Sequence, residues 1–415
     1  MKQKIIISLI AFLFFNLLSL QADEDEKVFL KIGSDSIPTE IQSAFEAFRG
    51  PLYNDPGLPA FALVSRNKRI AAGIGGYVRF TTSFDFAGVM PNRDFIPFLI
   101  PIPASSSQRS QFNMDASTSR LFLRILAQTR AGLVHFFVET DFRASGDRNR
   151  FSAIYASLRG WRLGRYWSVM ADLDSYPPSV DFQGPNSFAG TSTYQISYEG
   201  PLNKHFSFGV GLELPDYSIA DSLSGQQLPQ RIPTLPAYIQ YGGKWGHVRL
   251  AALARPLLYK NAITSHNTYA MTWGMVASAF LQPFPKTNFY LQTVYGDGIG
   301  NYNFELNGLG LDLVPNPRKP GKLQPAKFWG GYVGVKYAFS NFFQASSIYS
   351  QLRFFKNDIL NRAMYRVGKY LVFTGYFTLT PRLELAIEYD FGSLELKDRQ
   401  SGDANRVIGM IRYNF

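Results

Sequence analysis

Leu383-Glu384-Leu385-Ala386-Ile387-Glu388-Tyr389-Asp390-Phe391 puts an apolar residue at every odd position and an acid or a small residue at every even one. A helix would spread these side chains around its axis. A strand sends successive residues to opposite faces, so period two reads as a strand with one apolar and one polar face. The same alternation recurs along the chain. Val78, Phe80, Thr82, Phe84 and Phe86 alternate with Tyr77, Arg79, Thr81, Ser83 and Asp85. Leu121, Leu123 and Ile125 alternate with Arg120, Phe122 and Arg124, and Val134, Phe136, Val138 and Phe142 with His135, Phe137, Glu139 and Asp141.

Such strands suit a soluble sandwich with the apolar face inward, or a membrane barrel with it outward. Composition separates the two. Among 415 residues, charged side chains are 18% and aromatics 15%, against about 25% charged in ordinary soluble domains. With no cysteine, disulfides, thiolate zinc sites, cysteine nucleophiles and lipid-modified cysteines are excluded. A disulfide-free secreted sandwich of this length would need a very large core. The apolar-polar segments run about ten residues, enough to cross a bilayer when tilted. The expected fold is therefore all-β: a sixteen-stranded antiparallel transmembrane β-barrel with a short N-terminal periplasmic or plug segment. Tight links (128–131, 244–245, 380–381) alternate with long ones (87–116, 171–190, 215–233, 298–328), and the alternation is expected to be strict. Tight turns belong to the periplasmic side and long loops to the outside.

The ends carry addresses. Basic Lys2 and Lys4, the apolar run Ile5 to Leu20 and the small residue Ala22 have the layout of a cleaved signal peptide over 1–22. Residues 23–69 form a separate segment, in which Thr39 with Gln42 makes a capping box and Ile41, Ala44, Phe45 and Phe48 share one face of a short helix. The barrel spans 70–415. Tyr413 and the terminal Phe415 end an apolar strand face with Val407 and Ile411, the form of signal read by outer-membrane insertion machinery.

Several pieces resemble one family. Ile154-Tyr155-Ala156-Ser157, Gly160, Gly164, Trp167-Ser168 and Val180-Asp181-Phe182-Gln183-Gly184-Pro185 follow one another in order. Ile74-Gly75-Gly76-Tyr77-Val78-Arg79, Ala116-Ser117-Thr118-Ser119-Arg120-Leu121, Glu213-Leu214-Pro215 and Tyr295-Gly296-Asp297-Gly298-Ile299 add to them. Together they resemble the DcaP-like trimeric porins of Gram-negative bacteria. The resemblance implies a sixteen-stranded homotrimeric channel for small, often dicarboxylic, anions. The chain departs from the family at Arg165-Tyr166, where a Gln-Thr pair is usual, and at Ser152-Ala153; residues 23–69 also carry no clear long coiled coil.

Parity assigns the lumen. Arg79, Arg120, Arg124, Arg406 and Arg412 fall on three adjacent strands and form one wall, with Arg249 and Arg255 across the barrel. The resemblance adds Arg165 as pore-lining. Lumenal acids are Glu139, Asp141, Glu384, Glu388 and Asp390. Asp172, Asp174 and Asp181 in the long link 171–190 are candidate constriction acids. The four histidines (His135, His205, His247, His266) show no ligand spacing, so no metal or cofactor is expected, and the scattered basic residues exclude a nucleic-acid stripe. No GxSxG is present, and a plugged outer-membrane transporter would need about 22 strands. The expected function is passive diffusion of small anionic solutes through an outer-membrane porin. The rivals are a FadL-like hydrophobic-substrate channel and a non-channel surface barrel acting through its loops.

Overall fold

The structure is a computed structural model that describes residues 28–32, 61–65, 69–88, 90, 92–103, 110–219, 225–316, 318–355 and 365–415. The expected signal peptide over 1–22 and the helix expected around Thr39 to Phe48 lie outside the described residues.

Sixteen strands pair antiparallel in chain order and close on themselves. They are β1 (Ile70–Ala87), β2 (Arg120–Thr129), β3 (Gly132–Ala144), β4 (Arg148–Leu158), β5 (Trp161–Trp167), β6 (Ser192–Pro201), β7 (Phe206–Glu213) and β8 (Leu235–Gly243). The second half comprises β9 (Gly246–Asn261), β10 (Asn267–Phe284), β11 (Thr287–Asp297), β12 (Lys327–Ala338), β13 (Phe343–Phe354), β14 (Tyr365–Thr378), β15 (Leu383–Leu396) and β16 (Ser401–Asn414). Closure runs from Asn405↔Ala87 to Asn414↔Tyr77. Closure removes every edge of the sheet at that seam, which an open antiparallel sheet cannot do.

The terminal residue locks the seam. Phe415 exchanges both backbone hydrogen bonds with Gly76, at 3.0 and 3.1 Å. Below Gly76 the edge of β1 would be unpaired. A strand at Phe61–Ser65 covers it, starting at Phe61↔Ile74, and pairs in turn with Val28–Ile32. Both strands lie in 23–69, for which the sequence suggested only a short helix. The exposed edge of β1 supplies the cause, because its backbone groups need partners.

The faces follow the alternation. Val78, Phe84, Leu121, Leu163, Ile387 and Ile411 are exposed on the outside, while Phe122, Arg124, His135, Phe137, Glu388 and Asp390 are buried inside. Leu123, Phe136, Ile387 and Ile411 share the outward face, as expected. Aromatic rings cluster at the tight-turn end, where Phe339 stacks on Phe343 and Phe343 on Phe377, each at 5.2 Å. At the other end Trp273 meets Tyr295 at 5.7 Å. Two aromatic girdles flanking an apolar belt suit a membrane wall. Among the described residues no helix is long and apolar enough to cross a membrane.

The alternation of link lengths is not strict. Links 145–147, 262–266 and 397–400 are short. Their flanking strands stay paired to the last residues before the turn (Lys260↔Asn267, Glu395↔Ser401), so a tight turn suffices. β5 ends at Trp167, because the chain leaves the wall at Ser168 and turns into the lumen.

Candidate functional site

The link 168–191 between β5 and β6 folds inside the barrel, a point the sequence left open. Ser168, Met170, Asp172, Ser175, Ser179, Val180, Asp181 and Phe188 are all buried. Its path is set by polar side chains from successive strands. Glu213 at the end of β7 accepts from the Val169 backbone N–H (2.9 Å) and the Ser168 hydroxyl (3.1 Å). Asp172 Oδ2 accepts from His247 of β9 (2.9 Å) and Ser278 of β10 (2.6 Å). Tyr332 of β12 donates to the Ser175 carbonyl at 3.0 Å, and Ser346 of β13 to that of Pro178 at 2.9 Å. Glu388 of β15 accepts from the backbone N–H groups of Val180 and Asp181. Glycine makes room: a Cβ at Gly334 would lie 2.6 Å from Pro177, and one at Gly330 would lie 2.8 Å from Ser187.

Burial works against a charge on Asp172, but His247, Arg249 and Ser278 more than offset it and hold this carboxyl down at about 2. Asp174 beside it is exposed. Ligand atoms of Asp172, Asp174 and His247 lie within 4.8 Å of one another. That is donor chemistry for a divalent ion, although His247 and Asp172 Oδ2 are already hydrogen-bonded to each other. Asp181 accepts from Phe95 N–H (2.9 Å), Gly184 N–H (3.1 Å) and Tyr370 hydroxyl (3.0 Å). Burial, with Asp94 nearby, raises it to about 7. Of the three candidate constriction acids, Asp172 and Asp181 act as anchors of the link, and Asp174 faces open space.

Two further links meet the first: Phe95 of link 88–119 donates its N–H to Asp181, and Phe304 of link 298–326 donates its N–H to the Phe188 carbonyl at 3.1 Å. Glu305 in link 298–326 is fully enclosed. Its carboxylate accepts from Phe98 N–H at 2.6 Å and Tyr365 hydroxyl at 3.3 Å. Burial pushes it up to about 8.

The arginine wall is assembled, but most of its donors are occupied. Arg79 and Arg412 are register partners. Arg79 donates to the Val180 carbonyl of the inner link, and Arg412 meets Glu384 at 3.1 Å. Arg406 forks onto Asp85, its register partner, and also donates to the carbonyls of Arg93 (2.8 Å) and Asn92 (3.0 Å). Arg120 pairs with Glu139 at 3.0 Å. Arg124 is buried against Phe122 and Phe137, 5.0 Å from each ring centre. Across the lumen Arg255 meets Asp312 and donates to the carbonyls of Asp216 (2.6 Å) and Gly298 (2.7 Å). Arg249 lies 4.0 Å over the Tyr238 ring and donates to the Ala171 carbonyl at 3.0 Å. Guanidinium donors thus both line the lumen and tether the loops inside it. A hydrogen bond to a charged group contributes about 1.5–3 kcal/mol.

Arg165 is a correction. It pairs with Ile154 and Tyr194, both on the outer face, and its guanidinium lies 5.7 Å over the exposed Tyr194 ring. The position inherited from the resemblance is overruled by local alternation, since exposed Trp161 and Leu163 share its parity. The same parity sends Arg162 inward, where it pairs with Glu199 and lies 4.6 Å over Tyr166. Arg143, on the lumenal parity of His135 and Asp141, pairs with Asp94 and lies 4.5 Å over Phe182 of the inner link. Both are legible in the sequence by counting parity along their strands. Glu213, Glu305 and Asp312 carried no periodic signal, as they act from strand ends and loops.

Comparison with known proteins agrees with this architecture. Residues 65–236 match the family model described as DcaP outer membrane protein. The outer membrane channel DcaP of Acinetobacter baumannii superposes with a TM-score of 0.73 at 18% identity, over 83% of this chain and 97% of that one. An anion-selective porin from Comamonas acidovorans matches at 0.56 and 15% identity, over 83% and 100%. The trimer form of in-vitro folded OmpT from Vibrio cholerae matches at 0.50 and 10%, over 83% and 99%. No curated protein matches in sequence. The fold is that of the outer-membrane porins, and the resemblance to the DcaP outer membrane protein family is borne out over those residues.

Proposed function

We propose that the chain is an outer-membrane porin that passes small, preferentially anionic, dicarboxylate-like solutes by passive diffusion. The observation that carries this reading is the lumenal seam of β16, β1 and β2, where Arg412 opposes Arg79 and Arg120 and Arg124 follow on the next strand. A planar guanidinium offers paired donors to a carboxylate and stays charged at any working pH. A charged ring of this sign favours anions in a pore. The likeness to a channel and to an anion-selective porin points the same way. In a planar bilayer under a salt gradient, the purified protein should give a reversal potential of the anion-selective sign. Cation selectivity would overturn the reading.

In the same reading the protein is a homotrimer, exported through a cleaved signal peptide over 1–22 and inserted by machinery that reads Tyr413 and Phe415. Outward Arg165 supports association: an arginine facing lipid at mid-wall costs about 2–4 kcal/mol, and a neighbouring subunit relieves that cost. A second reading, a surface barrel with a blocked lumen, draws on the burial of link 168–191. Absence of single-channel conductance would favour it.

A further inference from the structure

The outer wall bears two cations with no acidic partner among the described residues where β12, β13 and β14 approach the long-loop end. The registers Trp329↔Arg353 and Gln351↔Lys369 place Arg353 and Lys369 on the face that carries exposed Val333, Tyr349 and Phe373. Both cations are exposed. Their height follows from the strands. Arg353 lies ten residues along β13 from Phe343, one of the rings of the tight-turn girdle. At about 3.3 Å per residue and a tilt of roughly 40°, that is a rise of about 25 Å, the height of the apolar band. Lys369, eight residues from girdle Phe377 on β14, reaches roughly 20 Å by the same arithmetic. The pair therefore stands at the upper boundary of the apolar belt, level with lipid headgroups.

Among the described residues the neighbouring acids are taken. Asp297 faces Lys327 at 4.0 Å, and Glu395 is held by Arg366 and Arg399. Neither Arg353 nor Lys369 has an acidic partner among the described residues. As diagonal neighbours on adjacent strands they lie roughly 7–8 Å apart, so each raises the cost of the other unless an anion sits between them. A phosphate fits, because it accepts the guanidinium fork and the ammonium together.

We propose that Arg353 and Lys369 form a docking site for the phosphate groups of the phosphorylated glycolipid of the outer leaflet, lipopolysaccharide. The site rests on the outer-membrane reading but not on anion transport. The test is titration of the full-length, detergent-purified protein with lipopolysaccharide and with its dephosphorylated form, read by native mass spectrometry. The unmodified protein should bind the phosphorylated lipid at least tenfold more tightly than the dephosphorylated one. Arg353→Gln with Lys369→Gln should lose that preference, while Lys244→Gln at the tight-turn end should keep it. Unchanged preference in the double variant, or equal binding of both lipids by the unmodified protein, would overturn the proposal. Heat-modifiable mobility on gels verifies that each variant is folded. Reversal potentials should be unaltered in the double variant, which separates failure of this site from failure of the porin reading.

Discussion

Arg79 and Arg412 stand directly opposite each other across the strand pair that closes the barrel. Like charges in that relation destabilise a sheet. Here each has its own counterpart: the Val180 carbonyl for Arg79, and Glu384 for Arg412. The seam thus concentrates positive charge on the lumen while giving each guanidinium an acceptor, and one of its cations reaches the inner link.

That relationship predicts an asymmetry. Arg412→Gln leaves Glu384 without its cation and should cost about 1–3 kcal/mol, as well as moving the reversal potential toward cation preference. Glu384→Gln should shift it the other way. Both are read in a planar bilayer, with denaturant titration for stability.

The two faces of β15 should respond differently to the same charge. Ile387 is exposed outward, and an arginine there should cost about 2–4 kcal/mol at the bilayer midplane. By parity alone, arginine at lumenal Ala386 would harm folding far less than at Ile387. The structure changes this expectation, because Ala386 is buried in a cluster with Val180, Tyr376, Ile408 and Met410. Ala386→Arg should spare insertion but dislodge the inner link and change conductance. Folding yield in vesicles separates the two effects.

The loop anchors should respond oppositely to pH. Glu305 is raised from 4.5 to about 8, so the contact it stabilises is fully present below 4.5 and is lost as pH climbs through about 8. Asp172 is lowered from 3.8 to about 2, so its contribution is full above 3.8 and is lost as pH falls through about 2. Hydrogen exchange of 95–103 and 300–310 should accelerate between pH 6 and 9, after correction for intrinsic rates. Glu305→Gln should remove that acceleration. An unchanged profile in the variant would show that another group is responsible.

Loss of the seam lock is the last expectation. Deleting Phe415 removes two backbone hydrogen bonds to Gly76 and should slow assembly, measured by the rate at which heat-modifiable mobility appears on gels.

Period-two alternation determined the class, the lumenal and outward faces and the arginine wall, because parity in a strand is a local property: Leu383 to Phe391 reads the same in isolation as in the barrel. The identity of the strands next to each other, Arg412 beside Arg79, followed from closure alone. What the sequence did not carry was the fate of the links. Asp172, Asp181 and Glu305 sit in stretches with no period, and whether such a link folds inward depends on distant partners: His247, Glu388 and Tyr365. Arg165 shows the same limit from the other side, since family resemblance placed it inward and pairing with Ile154 and Tyr194 placed it outward. Backbone pairing fixes direction residue by residue, whereas burial of a polar loop is decided only when donors and acceptors far apart in the chain are brought within hydrogen-bonding distance.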